Sequence, residues 1–265
     1  MATLPGGSEQ SWPGLFRLDG RTVLVTAAAG ALGEAIGGAV LEAGGRLVLA
    51  DEDAEALRPV ADRLGGPEAC QALEGGTSND GAAEALIDRI MYDFGRLDVV
   101  FSLSEINQRP DAIYELETSE WRLALGAGLD AAFLCARESS KVMVEQGGGG
   151  KIVLAGGIGT GRTVRRPWAA VAAARAGAAA LVRQLAIELA PFSITVNGLA
   201  LGLIEGTPEA QAGRGRLPAE QLKTEIALGR FGQPRDIWGA ALFLSGRASD
   251  YVTGQILTLD GGWSL

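Results

Sequence analysis

The chain is expected to fold as one α/β domain, a doubly wound parallel sheet of seven strands flanked by helices. Three observations predict it. The 265 residues are 47% hydrophobic, enough to bury a full core in a single domain. Short apolar runs alternate with longer helical patterns from one end to the other, as strands linked by crossover helices require. No internal repeat and no linker divides the chain.

The elements follow in order. Thr22–Thr26 is the first strand and Ala31–Ala43 the helix after it. Leu47–Ala50 is the second strand, ending at Asp51. Cys70–Leu73, Val99–Ser102, Ile152–Ala155, Ile194–Asn197 and Ile256–Leu259 complete the seven. Helices lie between them, including Gly81–Phe94, Ser119–Val144 and Trp168–Ala190, and Gly147–Gly150 forms a flexible turn into the fifth strand. Residues 1–17 lack a charged start followed by an apolar run and read as a flexible arm; the domain spans 18–265.

Composition excludes several classes of function. A net charge of −9 argues against nucleic acid or an anionic membrane surface as a partner. Histidine is absent, which removes His-based general bases, catalytic triads and most transition-metal sites. The two cysteines, Cys70 and Cys135, have no metal-ligand spacing. The Ala-rich stretch from Trp168 to Ala190 is interrupted by Arg175, Arg183 and Glu188, so no membrane span is expected and the location is cytoplasmic.

Beyond residue 170 the helix begins Val171-Ala172-Ala173-Ala174-Arg175 and ends Leu185-Ala186-Ile187-Glu188-Leu189, followed by Ile194-Thr195-Val196-Asn197. The last third carries Gly229-Arg230-Phe231-Gly232-Gln233-Pro234, Tyr251-Val252-Thr253-Gly254 and Leu259-Asp260-Gly261-Gly262-Trp263. With these motifs the chain, from Leu18 to Trp263, closely resembles the short-chain dehydrogenase/reductase (SDR) family. The resemblance implies a Rossmann-like sheet. In the family the last of these regions packs the subunits of a tetramer, so it also implies an oligomer.

Where the family carries Thr-Gly-x-x-x-Gly-x-Gly after the first strand, this chain has Thr26-Ala27-Ala28-Ala29-Gly30-Ala31-Leu32-Gly33. The glycines allow a tight turn and a close approach of backbone N–H groups to a pyrophosphate. Gly33 stands in register and Gly30 can permit a shifted turn. Asp51 sits where an acid would bond the adenosine ribose and favour NAD over NADP. Gly75-Gly76 and Ser102-Leu103-Ser104-Glu105 replace two further family segments around the nucleotide. Little or no cofactor binding is expected, with NAD preferred if any is held.

The family's four reaction-centre groups are Asn, Ser, Tyr and Lys. Alignment on Trp121 and Phe133-Leu134-Cys135 puts Gly128 at the Asn, and alignment on Gly150-Lys151-Ile152-Val153 puts Gly157 at the Ser. Val171 and Arg175 stand at the Tyr and Lys. Valine has no proton to transfer, and arginine keeps its charge and donors without relaying protons as lysine does. No standard acid/base group remains, so the catalytic set is expected to be degenerate.

Other residues near the cleft could contact an anionic small molecule. Arg162, Arg165 and Arg166 precede Trp168, and guanidinium groups there could clamp a carboxylate or phosphate. Glu105, Asn107, Arg109 and Glu205 could also reach the cleft. Taken with the lost chemistry, these features lead to the expectation of a non-catalytic subunit in a homo- or hetero-oligomer. Its partner would be an active SDR paralogue, such as a dehydrogenase acting on an acyl-CoA or other acidic intermediate. The alternatives are a lyase, isomerase or cyclase in the emptied cleft, and an NAD-dependent oxidoreductase with displaced catalytic groups.

Overall fold

A computed structural model describes residues 11–104, 106, 112–157, 168–208, 210–211 and 218–265. Seven strands form one sheet: β1 (Thr22–Thr26), β2 (Arg46–Asp51), β3 (Cys70–Glu74), β4 (Val99–Ser104), β5 (Gly150–Gly156), β6 (Ile194–Leu201) and β7 (Ile256–Leu259). Their spatial order is β3-β2-β1-β4-β5-β6-β7, and every neighbouring pair is parallel. The expected strands all form, and β1 and β7 keep their expected bounds.

The sheet is covered on both faces, which explains why its strands read as continuous apolar runs. All five residues of β1 are buried. One core joins Val23, Val25, Leu47, Leu49, Val99 and Phe101 to helix α1 (Ala31–Glu42) and to Ala241 and Leu244 of a late helix, Trp238–Ser245. The opposite core joins Leu24, Val48, Val100, Ile152 and Val196 to helices α3 (Asp80–Phe94), α5 (Ala131–Gln146) and α6 (Ala169–Leu189). The chain runs outward from β1 to β3, then returns to β4 beside β1. The carboxyl ends of β1 and β4 therefore flank the topological switch point, where open α/β sheets place their ligands.

Local chemistry sets several element ends. Helix α2 (Ala54–Arg63) starts at Asp53, whose carboxylate accepts from the Ala56 N–H at 2.9 Å. Helix α3 starts at Asn79, which accepts from the Ala82 N–H, and stops at the left-handed Gly95. The single helix expected over Ser119–Val144 is divided. Helix α4 (Thr118–Leu125) passes through a π turn over Gly126–Asp130 before α5 begins. Gly126 and Gly128 lie in that turn, and π turns concentrate at functional sites.

Within the segment expected to be a loose arm, Gly14–Phe16 form a short 3₁₀ turn with Gly14 buried. Ala169–Phe192 is long and apolar enough, by length and composition, to cross a membrane. In the fold this stretch is largely α6, which packs on the sheet through Ala179, Val182 and Ala186.

Candidate functional site at the carboxyl edge of the sheet

The loop after β1 keeps the backbone path that glycines usually provide. Ala27 holds a left-handed conformation at φ +48°, which an L-residue with a Cβ rarely adopts. The Ala28 N–H donates to the Ala50 carbonyl at 3.1 Å and ties the loop to β2. Gly30 is the extended N-cap of α1. Gly33 packs so closely that a Cβ there would lie 2.6 Å from the Ala28 Cα.

Asp51 braces this loop from the end of β2. One carboxylate oxygen accepts from the Ala29 N–H at 2.9 Å and the other from the Asp53 N–H at 3.0 Å. Across the loop lies Gly206, at φ +85°, where a Cβ would sit 2.9 Å from the Ala31 methyl. The methyl of Ala31 thus faces a position that has none. A left-handed turn, a close-packed glycine, a helix N-terminus and an acid at the end of β2 together fit a dinucleotide.

The four positions aligned with the family's reaction centre fall in two groups, Gly128 and Val171 around Ile106 and Ala174, and Gly157 with Arg175. Gly128 lies in the π turn, and a Cβ there would meet the Ala174 methyl at 2.9 Å and the tip of Ile106. Val171 is 2% exposed and packs with Ile106, Ala124, Ala170 and Ala174. Gly157 directly follows β5, and the guanidinium of Arg175 lies against it. A Cβ at 157 would come within 2.6 Å of Arg175 Nε. The same guanidinium lies over the Trp168 ring, whose centroid is 5.8 Å from Cζ. Arg175 therefore touches an indole and a bare backbone, on the helix turn after Val171.

Glu205 is placed differently. Its N–H donates to the Gly232 carbonyl at 2.8 Å, and its charge acts on Arg230, which forks onto Asp236 at 2.6 and 3.2 Å. The hydrogen bonds that Arg230 donates to Asp236, and that carboxylate's attraction, raise the Arg230 pKa, and Glu205 adds to the rise. Glu105, Asn107, Arg109, Arg162, Arg165 and Arg166 lie outside the described residues. Gly206 and Ile106 are participants that the sequence did not single out. Their partners, Ala31 and Gly128, are distant in the chain, so no local motif marks them.

Comparison with known proteins is consistent over the whole fold. A family model described as enoyl-(acyl carrier protein) reductase matches residues 27–264. Galactitol 2-dehydrogenase (L-tagatose-forming) of Cereibacter sphaeroides is 31% identical, covering 95% of this chain and 98% of its own. D-threitol dehydrogenase of Mycolicibacterium smegmatis is 30% identical, covering 94% and 95%. The crystal structure of a gluconate 5-dehydrogenase from Burkholderia cenocepacia J2315, in complex with NADP and tartrate, superposes with a TM-score of 0.84. It is 28% identical and covers 96% of this chain and 98% of its own.

These findings overturn one expectation from sequence and bear on a second. A non-catalytic subunit was expected from Gly128, Gly157, Val171 and Arg175, yet the proteins matched end to end are named dehydrogenases. They favour a catalytic oxidoreductase over a pseudoenzyme. The expectation of little or no cofactor is set against a structural neighbour that holds NADP. The expectation of a non-catalytic subunit rested on side-chain identity at four aligned positions, whereas the fold shows that the Arg175 guanidinium fills the space a Cβ at Gly157 would need.

Proposed function

The chain belongs to the short-chain dehydrogenase/reductase family, and from that premise we propose an oxidoreductase that interconverts a secondary alcohol and a carbonyl using a nicotinamide cofactor. Its end-to-end similarity to named polyol and sugar-acid dehydrogenases carries the reading, and the same names suggest a polyhydroxylated substrate. Gly30, Gly33 and the N-terminus of α1 would hold the pyrophosphate. Asp51 would accept from ribose hydroxyls, and Glu52 and Asp53 follow it directly. Three consecutive carboxylates repel a 2′-phosphate, which favours NAD over NADP. When bound, the nicotinamide supplies or accepts the hydride.

Arg175 takes the electrostatic part of the reaction. Its guanidinium, fixed by Trp168 and Gly157, would donate to the substrate oxygen and hold the charge that develops as a carbonyl becomes an alkoxide. Arginine stays protonated at all working pH values, so it stabilises the oxygen without surrendering a proton; water supplies that proton. Val171 moves no proton and instead closes the cleft wall beside Arg175. A homo-oligomer is part of the proposal, because proteins of this fold commonly assemble.

Nicotinamide absorbance with galactitol, D-threitol and gluconate provides the test. Turnover is expected with NAD, and Arg175→Ala should lower kcat by about 100- to 1,000-fold, the usual loss for an oxyanion donor. With no titrating acid or base, kcat/KM for the reductive direction should be flat between about pH 6 and 9. Failure to transfer hydride with either cofactor across polyols and sugar acids would defeat the proposal.

A further inference from the structure

The amino edge of the sheet, opposite the nucleotide loop, holds a cavity of roughly 630 Å³. The starts of β1, β4, β5 and β6 meet there and bring three cations together, Arg21, Arg96 and Lys151. Two carboxylates share the cavity, and each is already matched. Asp98 accepts from the Thr22 N–H at 2.8 Å and from Arg96 Nε at 2.8 Å. Asp250 accepts from Lys151 Nζ at 2.9 Å, and that same nitrogen donates to Ser249 Oγ at 3.2 Å.

Arg21 is the charge left over. Its guanidinium makes no hydrogen bond or ion pair among the described residues, while its field falls on Lys151. Lys151 is itself only 4% exposed. Burial pushes its pKa below the ordinary lysine value; Asp250 opposes that push and Arg21 adds to it. A second polar group points to the same need: the buried Thr195 hydroxyl, on a residue that lines the cavity, has no protein partner. In a protein of net charge −9, an excess of cations around a concave space is unusual.

We infer that this cavity binds a small dianion, a phosphate or a dicarboxylate, held by Arg21 and Lys151 with the outer N–H groups of Arg96 at its rim. The volume suits a small molecule. A bound anion would satisfy the unpaired guanidinium and relieve the repulsion between Arg21 and Lys151 in a setting where solvent screening is weak. The site is remote from the carboxyl edge, so it is independent of the nucleotide loop and of the reaction assigned there.

Isothermal titration of the full chain with sodium phosphate and, separately, sodium succinate tests this, with sodium chloride at matched ionic strength as the control. Saturable binding of at least one dianion is expected, and which of the two binds identifies the source of the charge. Arg21→Gln changes a partly exposed residue and spares the fold. It should weaken binding at least tenfold. Absence of saturable binding to both anions would overturn the inference. So would binding of unchanged strength in Arg21→Gln, since the anion would then sit elsewhere, such as the α1 N-terminus.

Discussion

Replacing Gly157 by Ala adds one methyl group and tests the proposed role of Arg175 without touching that residue. The new Cβ would lie 2.6 Å from Arg175 Nε, and ordinary contact begins near 3.4 Å. The guanidinium must therefore retreat by about 1 Å, and a displacement of that size in a catalytic group can lower a rate by about 100-fold. The obstructing atoms belong to the far end of a flexible side chain, so the fold survives; an off-rotamer arginine costs about 0.5–1.5 kcal/mol. The expected result is a drop of about 100-fold in kcat/KM for Gly157→Ala with an unfolding temperature close to that of the parent. In an Arg175→Ala background the same methyl group meets no guanidinium and should change little, which a double-mutant cycle reads directly. Full activity in Gly157→Ala, or equal losses in both backgrounds, would refute the assignment.

Three further outcomes are expected. Ala27→Gly removes a left-handed alanine at φ +48°; the strain relieved, about 1–2 kcal/mol, is largely offset by glycine's entropy, so stability stays nearly constant while NAD affinity, measured by titration calorimetry, rises severalfold. Burial alone would raise the Glu138 pKa, but ion pairs with Lys141 and Arg137 outweigh it and hold the carboxyl below its ordinary value. That stabilisation is present above about pH 4.3 and is lost as pH falls through the folded-state pKa. Glu138→Gln should cost about 1–3 kcal/mol at pH 7 and progressively less in acid, as followed by thermal unfolding. Burial pushes the Cys135 thiol up to about 11 and also raises Cys70, so neither should react with a thiol reagent in the native protein at pH 8; labelling of either, seen by mass spectrometry, would contradict the packing.

The fold was legible because its central strands are buried on both sides and the apolar runs of the strands are local. Thr22–Thr26 and Ile256–Leu259 appear with the bounds their residues suggested. The break in Ser119–Val144 was harder to see. Glycine in a helical pattern signals a weakness but not its form, and the π turn at Gly126–Asp130 depends on packing against Ile106 and Ala174. At the site, the chain order gave the residues at the aligned positions but not what fills the space around them. Gly157 and Arg175 are 18 positions apart in sequence, and Ala31 and Gly206 far more, so their fit exists only after folding. Glu205 lies on a loop whose course the sequence left open, and there its charge falls on Arg230.

Three of these contacts share a form that bears on whether the site has decayed. Arg175 faces Gly157, Ala31 faces Gly206, and Ile106 with Ala174 faces Gly128. In each, the glycine position has no room for a Cβ, and a side chain from elsewhere in the chain occupies that space. Crowding a packed interior typically costs about 1–3 kcal/mol per site, so three unmatched enlargements would consume roughly 3–9 kcal/mol. A domain has about 5–15 kcal/mol in total. Unselected substitution at a disused cleft would leave clashes or voids, because no pressure couples one wall to the other. The walls here fit one another at all three points. At Gly157 that fit places the Arg175 guanidinium at the carboxyl edge of the sheet, where the proposed electrostatic mechanism for hydride transfer requires a cation.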